Sequence, residues 1–123
     1  MKKKTEKTIL VVEDDDDLRL TLREYLQGIG YNTLVAADGV SAIKHLLDTE
    51  IDLIVSDYRM DVFGGDYWVR FLKRYCGNTK VILTSGFLQE GDGLPFTLLE
   101  KPFDYSSLGA LVSGILSGSD EQD

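Results

Sequence analysis

Five polar residues sit where short hydrophobic runs end, and their types suit one kind of chemistry. Thr8-Ile9-Leu10-Val11-Val12 runs straight into Glu13-Asp14, and Ile51-Asp52-Leu53-Ile54-Val55-Ser56 into Asp57. Further on, Lys80-Val81-Ile82-Leu83 delivers Thr84-Ser85, and Leu98-Leu99-Glu100 delivers Lys101-Pro102. In a parallel α/β sheet the carboxyl ends of the strands share one edge, where sites form. Glu13, Asp14, Asp57, Thr84 and Lys101 are therefore expected to converge on one pocket. Gathered carboxylates repel one another, so something must neutralise them. A hard divalent cation bound by oxygens fits, and Mg²⁺ suits a site with few protein ligands and several waters.

Short β-branched runs alternate with amphipathic stretches, the pattern of a parallel α/β sheet. Strands are expected at 8–12, 32–36, 53–56, 81–84 and about 97–100. A helix from near Asp16 to Gly28 places Leu18, Leu22, Leu26 and Ile29 at helical spacing, with Gly28 and Gly30 as stop signals. Acids in a first helical turn favour the positive end of the dipole, the reading preferred for Asp16 and Asp17. Asp38 is a good N-cap for a helix carrying Val40, Ile43, Leu46 and Leu47. Phe63-Gly64-Gly65 breaks the chain before a third helix bearing Trp68, Phe71, Leu72 and Tyr75. Segment 85–96 contains Gly86, Gly91, Gly93 and Pro95 and holds at most a short, poor helix around 87–90. The last helix follows Asp104 and presents Leu108, Leu111, Val112, Ile115 and Leu116. Residues 1–7 read as a flexible start, 8–117 as one domain and 118–123 as a flexible acidic tail.

The 123 residues suit one compact domain, and 43% hydrophobic with 28% charged residues is ordinary globular composition. A net charge of −8 makes the chain a poor nucleic-acid binder and favours cations or basic partners. Cys76, the only cysteine, excludes an internal disulfide and agrees with a reducing compartment. No apolar run approaches the roughly 20 residues needed to span a membrane. Met1-Lys2-Lys3-Lys4 is basic like a signal peptide's start, but the apolar run behind it is too short and ends in acids. The expectation is a cytoplasmic protein that contacts no membrane.

Val11-Val12-Glu13-Asp14-Asp15, Asp57-Tyr58-Arg59-Met60, Thr84-Ser85-Gly86 and Lys101-Pro102-Phe103 resemble the receiver domain of bacterial two-component response regulators. The resemblance runs from about Thr8 to Leu116. It implies a flavodoxin-like fold, a single doubly wound five-stranded parallel sheet flanked by helices. It also implies a phosphoacceptor that assists its own phosphorylation and dephosphorylation rather than an enzyme. By the same resemblance Asp57 accepts a phosphoryl group from a sensor histidine kinase or a phosphotransfer protein. Asp14 and Asp57 ligate Mg²⁺ directly (Mn²⁺ as a substitute), Glu13 works mainly through water, and the backbone carbonyl of Arg59 supplies a further oxygen. Lys101 pairs with a phosphoryl oxygen, and its bond to Pro102 is expected to be cis. Thr84 moves toward that oxygen in the switching step, read by a downstream protein partner or an output domain. Small Ser85 leaves the acceptor open, and Arg59 and Gly86 occupy positions that tune phosphoryl lifetime.

Three features depart from the family pattern. Asp61, not proline, follows Met60, placing a flexible charge at the mouth of the site. Leu98 stands where the family tends to place the aromatic partner of the threonine switch, and Phe96 lies two residues away. The segment from Thr84 to Lys101 is short and glycine-rich, so the fourth helix is expected to be shortened or disordered. These changes motivate a rival reading, a receiver-like interaction module that does not switch by phosphorylation. An aspartate-based phosphohydrolase would need an acid two residues after its nucleophile, where this chain has Arg59. A flavin site would need a phosphate-cradling loop after the first strand, and Glu13-Asp14-Asp15 would repel that phosphate. The acidic run lacks the glycine and distal glutamate of a calcium-binding loop. His45 reads as exposed surface, Cys76 as a structural thiol, and the Trp68 face as mostly core, with Trp68 or Tyr67 as candidates for a partner surface.

Overall fold

A computed structural model describes residues 6–60, 65–86 and 95–121, with side chains up to residue 117. Five strands, β1 (Thr8–Val12), β2 (Asn32–Ala36), β3 (Leu53–Asp57), β4 (Lys80–Ser85) and β5 (Thr97–Glu100), form one sheet in the order β2-β1-β3-β4-β5. Every pairing is parallel. The described helices are α1 (Asp16–Gly28), α2 (Gly39–Asp48), α3 (Gly65–Tyr75) and α4 (Tyr105–Glu121). The expected short helix at 87–90, Asp61 and the Phe63-Gly64 break lie outside the described residues.

Side chains alternate across a strand, so each strand feeds two cores. Leu10, Val12, Ile54, Val81 and Leu83 face one layer with Ala42 of α2 and Trp68, Val69 and Leu72 of α3. Ile9, Val11, Leu53, Val55 and Ile82 face the other, with Leu22 and Leu26 of α1 and Leu108, Val112 and Leu116 of α4. Burial on both faces explains why the strands read as continuous apolar runs.

Helix ends follow local chemistry. Asp15 caps α1, its carboxylate accepting from the Leu18 N–H at 3.0 Å, and Asp38 caps α2 by accepting from Ser41 at 2.8 Å. After α1 the chain turns at Gly30, whose φ of 111° lies in the region where a Cβ is strained. Two ends depart from the sequence reading. Lys7, expected in a loose N-terminus, is 5% exposed and donates its ammonium to the Leu116 carbonyl at 2.7 Å. The contact ties the residue that precedes β1 to α4. The backbone of α4 continues to Glu121, into the expected tail, since no proline after Pro102 interrupts it.

Candidate functional site

Strand parity selects the side of the sheet on which the site forms. Glu13 continues the alternation of Val11, Asp57 that of Val55, Thr84 that of Ile82 and Lys101 that of Leu99, all on the α1–α4 side. Register does the rest, because β3 and β4 pair Asp57 directly with Thr84. Carboxylate oxygens of Glu13, Asp14 and Asp57 lie within 4.8 Å of one another. The Lys101 ammonium reaches Glu13 Oε1 at 2.8 Å and Asp57 Oδ2 at 3.4 Å. The five residues expected to converge do so. A cleft of about 440 Å³, lined by Leu18, Lys101, Pro102, Phe103 and Tyr105, adjoins them. The Lys101–Pro102 bond is cis, as the resemblance implied.

The carboxylates differ in environment. Glu13 is 2% exposed and has both oxygens engaged, Oε1 by Lys101 and Oε2 by the Asp15 N–H at 3.2 Å. Asp57 is 8% exposed, and among the described residues its Oδ1 accepts a long 3.4 Å contact from the Arg59 N–H. Asp14 is exposed. Burial pushes the carboxyls of Glu13 and Asp57 above their ordinary values, outweighing the pull of Lys101. The two carboxylates in turn raise the Lys101 ammonium, overcoming the desolvation that would lower it. Two buried acids served by one shared ammonium are under-neutralised. Three clustered carboxylates of this kind are a hard-oxygen donor set that fits a divalent cation.

Thr84 is 2% exposed, and its hydroxyl donates to the Ser56 carbonyl at 3.4 Å, the long end of the hydrogen-bond range. Leu98 and Phe96 both pack against the core on the α2–α3 side, with Met60 and Tyr58 in the same cluster. Arg59 is exposed.

Sequence reasoning missed several contacts. Arg19 folds back from α1 to donate to the Glu13 carbonyl at 3.0 Å while pairing with Asp16 at 2.6 Å. Only the Asp16–Arg19 spacing hinted at it. The Tyr58 hydroxyl donates to Asp66 at 2.7 Å, tying the end of β3 to the first turn of α3. His45, read as exposed, is half-buried, with Nε2 2.9 Å from the Val35 carbonyl; the turn of α2 carries it back over β2. Trp68 is core rather than a partner surface, at 0% exposure, whereas Tyr67 is exposed. Cys76 is buried, which raises its thiol pKa and agrees with a structural role.

Residues 9–112 match the family model of the response regulator receiver domain. The chain is 31% identical over 111 residues to the transcriptional regulatory protein YxdJ of Bacillus subtilis, covering 85% of this chain and 48% of YxdJ. It is 34% identical over 121 residues to the sensor kinase CckA of Brucella abortus, covering 92% of this chain and 13% of CckA. The chain thus spans about half the length of the first relative and a small part of the second. Among solved structures, the response regulator TrrA of Thermotoga maritima, in complex with Mg²⁺ and BeF, superposes with a TM-score of 0.79. That match has 27% identity and covers 88% of this chain and 97% of TrrA. No helix among the described residues is long and apolar enough to cross a membrane.

Proposed function

The chain belongs to the response regulator receiver domain family of two-component signalling, and from that premise we propose that Asp57 accepts a phosphoryl group. The observation that carries this reading is the grouping of the Glu13, Asp14 and Asp57 oxygens with Lys101 against two of them. The Asp57 carboxylate attacks phosphorus, forming an acyl phosphate, while the bond to the donor breaks and its electron pair leaves with the donor. A sensor histidine kinase or a phosphotransfer protein supplies the group, in the cytoplasm.

Asp14 and Asp57, with the backbone carbonyl of Arg59, would hold Mg²⁺, or Mn²⁺ in its place. When bound, the metal neutralises charge on the phosphoryl oxygens. Glu13 acts through water, a reading supported by the engagement of both its oxygens. Lys101 swings from the carboxylates to a phosphoryl oxygen, forming a charge-assisted hydrogen bond. The Thr84 hydroxyl turns to another, giving up only its long contact to Ser56. Leu98 takes the place of the aromatic switch partner, and a protein partner or further domain reads the change without direct nucleic-acid contact by this domain.

Leu98, aliphatic and packed into the core beside Phe96, favours a second reading in which the domain binds partners without switching. Intact-mass spectrometry after incubation with acetyl phosphate separates the two. A Mg²⁺-dependent gain of one phosphoryl group, lost with EDTA and in Asp57→Asn, is expected. Labelling of Asp57→Asn like the wild type would overturn the acceptor assignment, and no gain under any condition would leave the second reading.

A further inference from the structure

We propose that Trp68 and Ser56 form a positioning relay that fixes the acceptor end of β3 from the face of the sheet opposite the carboxylates. The proposal rests on the reading of Asp57 as phosphoacceptor. Parity turns Ser56 away from the site and into the α2–α3 layer, where Ile54 and Leu83 are its apolar neighbours on the strands. There the hydroxyl is fully buried, as is the Trp68 indole. A buried N–H or hydroxyl without a partner is costly, so each needs the other. Trp68 Nε1–H donates to Ser56 Oγ at 2.8 Å, and Ser56 Oγ–H donates to the Asp57 carbonyl at 2.9 Å. One hydroxyl acts as acceptor and donor at once, which sets its direction.

The relay grips the peptide that leaves Asp57. On one side of that peptide lies the Ser56 carbonyl, touched by the Thr84 hydroxyl at 3.4 Å. On the other, the Tyr58 N–H donates to the Thr84 carbonyl at 2.9 Å, and the Arg59 N–H approaches Asp57 Oδ1. Phe71 stacks on the indole, with centroids 5.7 Å apart and planes 9° from parallel, adding packing but no hydrogen bond to the relay. The position of α3 thereby sets the direction of the Asp57 carboxylate, whose own contacts at 3.4 Å to Lys101 and to the Arg59 N–H are too long to set it. Among the described residues little in front of Asp57 aims it, and the relay does so from behind.

The test is the initial rate of labelling by acetyl phosphate at saturating Mg²⁺, with urea unfolding of each protein. Variants are Ser56→Ala, Trp68→Phe, the pair together, and Phe71→Leu, which loosens packing and leaves both hydrogen bonds. Ser56→Ala and Trp68→Phe are expected to label about tenfold more slowly, as small misplacements of a reacting group do. Members of one relay are not additive, so the double variant should be no slower than the slower single. Phe71→Leu should lower the urea midpoint and label at the wild-type rate. If Trp68→Phe fails to fold, Ser56→Ala against Phe71→Leu carries the comparison. Wild-type labelling by Ser56→Ala, or rates that follow the urea midpoints through Phe71→Leu, would overturn the relay alone. A wild-type protein that takes no label would overturn the relay together with the phosphoacceptor reading.

Discussion

Lys101 stands 2.8 Å from Glu13 and 3.4 Å from Asp57, so one ammonium serves two buried acids and neither is fully compensated. Burial keeps both carboxyls raised, from ordinary values of 4.5 for Glu13 and 3.8 for Asp57. A raised acid binds its proton more tightly in the folded state than in the unfolded one. Its stabilising contribution is complete below the unfolded value and is lost as pH rises through the folded one. Asp57→Asn removes that loss. In EDTA, thermal melts should therefore match the wild type below the ordinary 3.8 and lie above it once pH has risen through the folded value. A variant less stable than the wild type at neutral pH would mean that the ion pair with Lys101 outweighs desolvation. Lys101 itself, raised from 10.5, supports the fold below that value and ceases to do so as pH rises through its folded value.

At the scale of elements, caps and close approaches make separable demands. Asp38 supplies one orphan donor of α2, the Ser41 N–H, with a partner, so Asp38→Ala should cost about 1 kcal/mol in urea unfolding. Its labelling rate should stay at the wild-type value; a slower rate would tie α2 to the site. Gly109 of α4 faces α1, where an added Cβ would lie 2.6 Å from the Tyr25 hydroxyl and 3.1 Å from its ring. Alanine gains about 1 kcal/mol of helix propensity over glycine, against about 1–3 kcal/mol for overpacking. Tyr25 also rests on Tyr105 at 5.6 Å, which limits its retreat, so a net loss is expected for Gly109→Ala. Part of it should return in a Tyr25→Phe background, and a stabilised single variant would show the ring moving aside freely. The elements themselves were legible: β1, β2, β5 and α1 match their expected bounds, and β3 and β4 differ only by added end residues. So were the five converging residues, because strand ends and a shared edge follow from pattern alone. Arg19 on the Glu13 carbonyl, Trp68 on Ser56 and His45 on Val35 were not, because each depends on how a helix is rotated over the sheet. Apolar periodicity fixes that rotation only to a broad face.

For the whole molecule, a charge of −8 and a local cluster of three carboxylates both favour cations, and the two effects must be told apart. General neutralisation acts through screening, responds to ionic strength and does not depend on any one acid. A specific site binds the folded chain alone and stabilises it by mass action, about 2.7 kcal/mol at a hundredfold excess over Kd. Asp14 separates the two cases because it is exposed, so its removal disturbs no core, yet it belongs to the cluster. MgCl₂ should raise the thermal midpoint of the wild type well beyond NaCl of equal ionic strength. In Asp14→Asn the two salts should act alike, while the midpoint without added salt stays close to the wild-type value. Equal responses of wild type and variant to MgCl₂ would mean that the ion relieves the chain's overall repulsion, and the carboxylate cluster would then lose its claim to a bound metal.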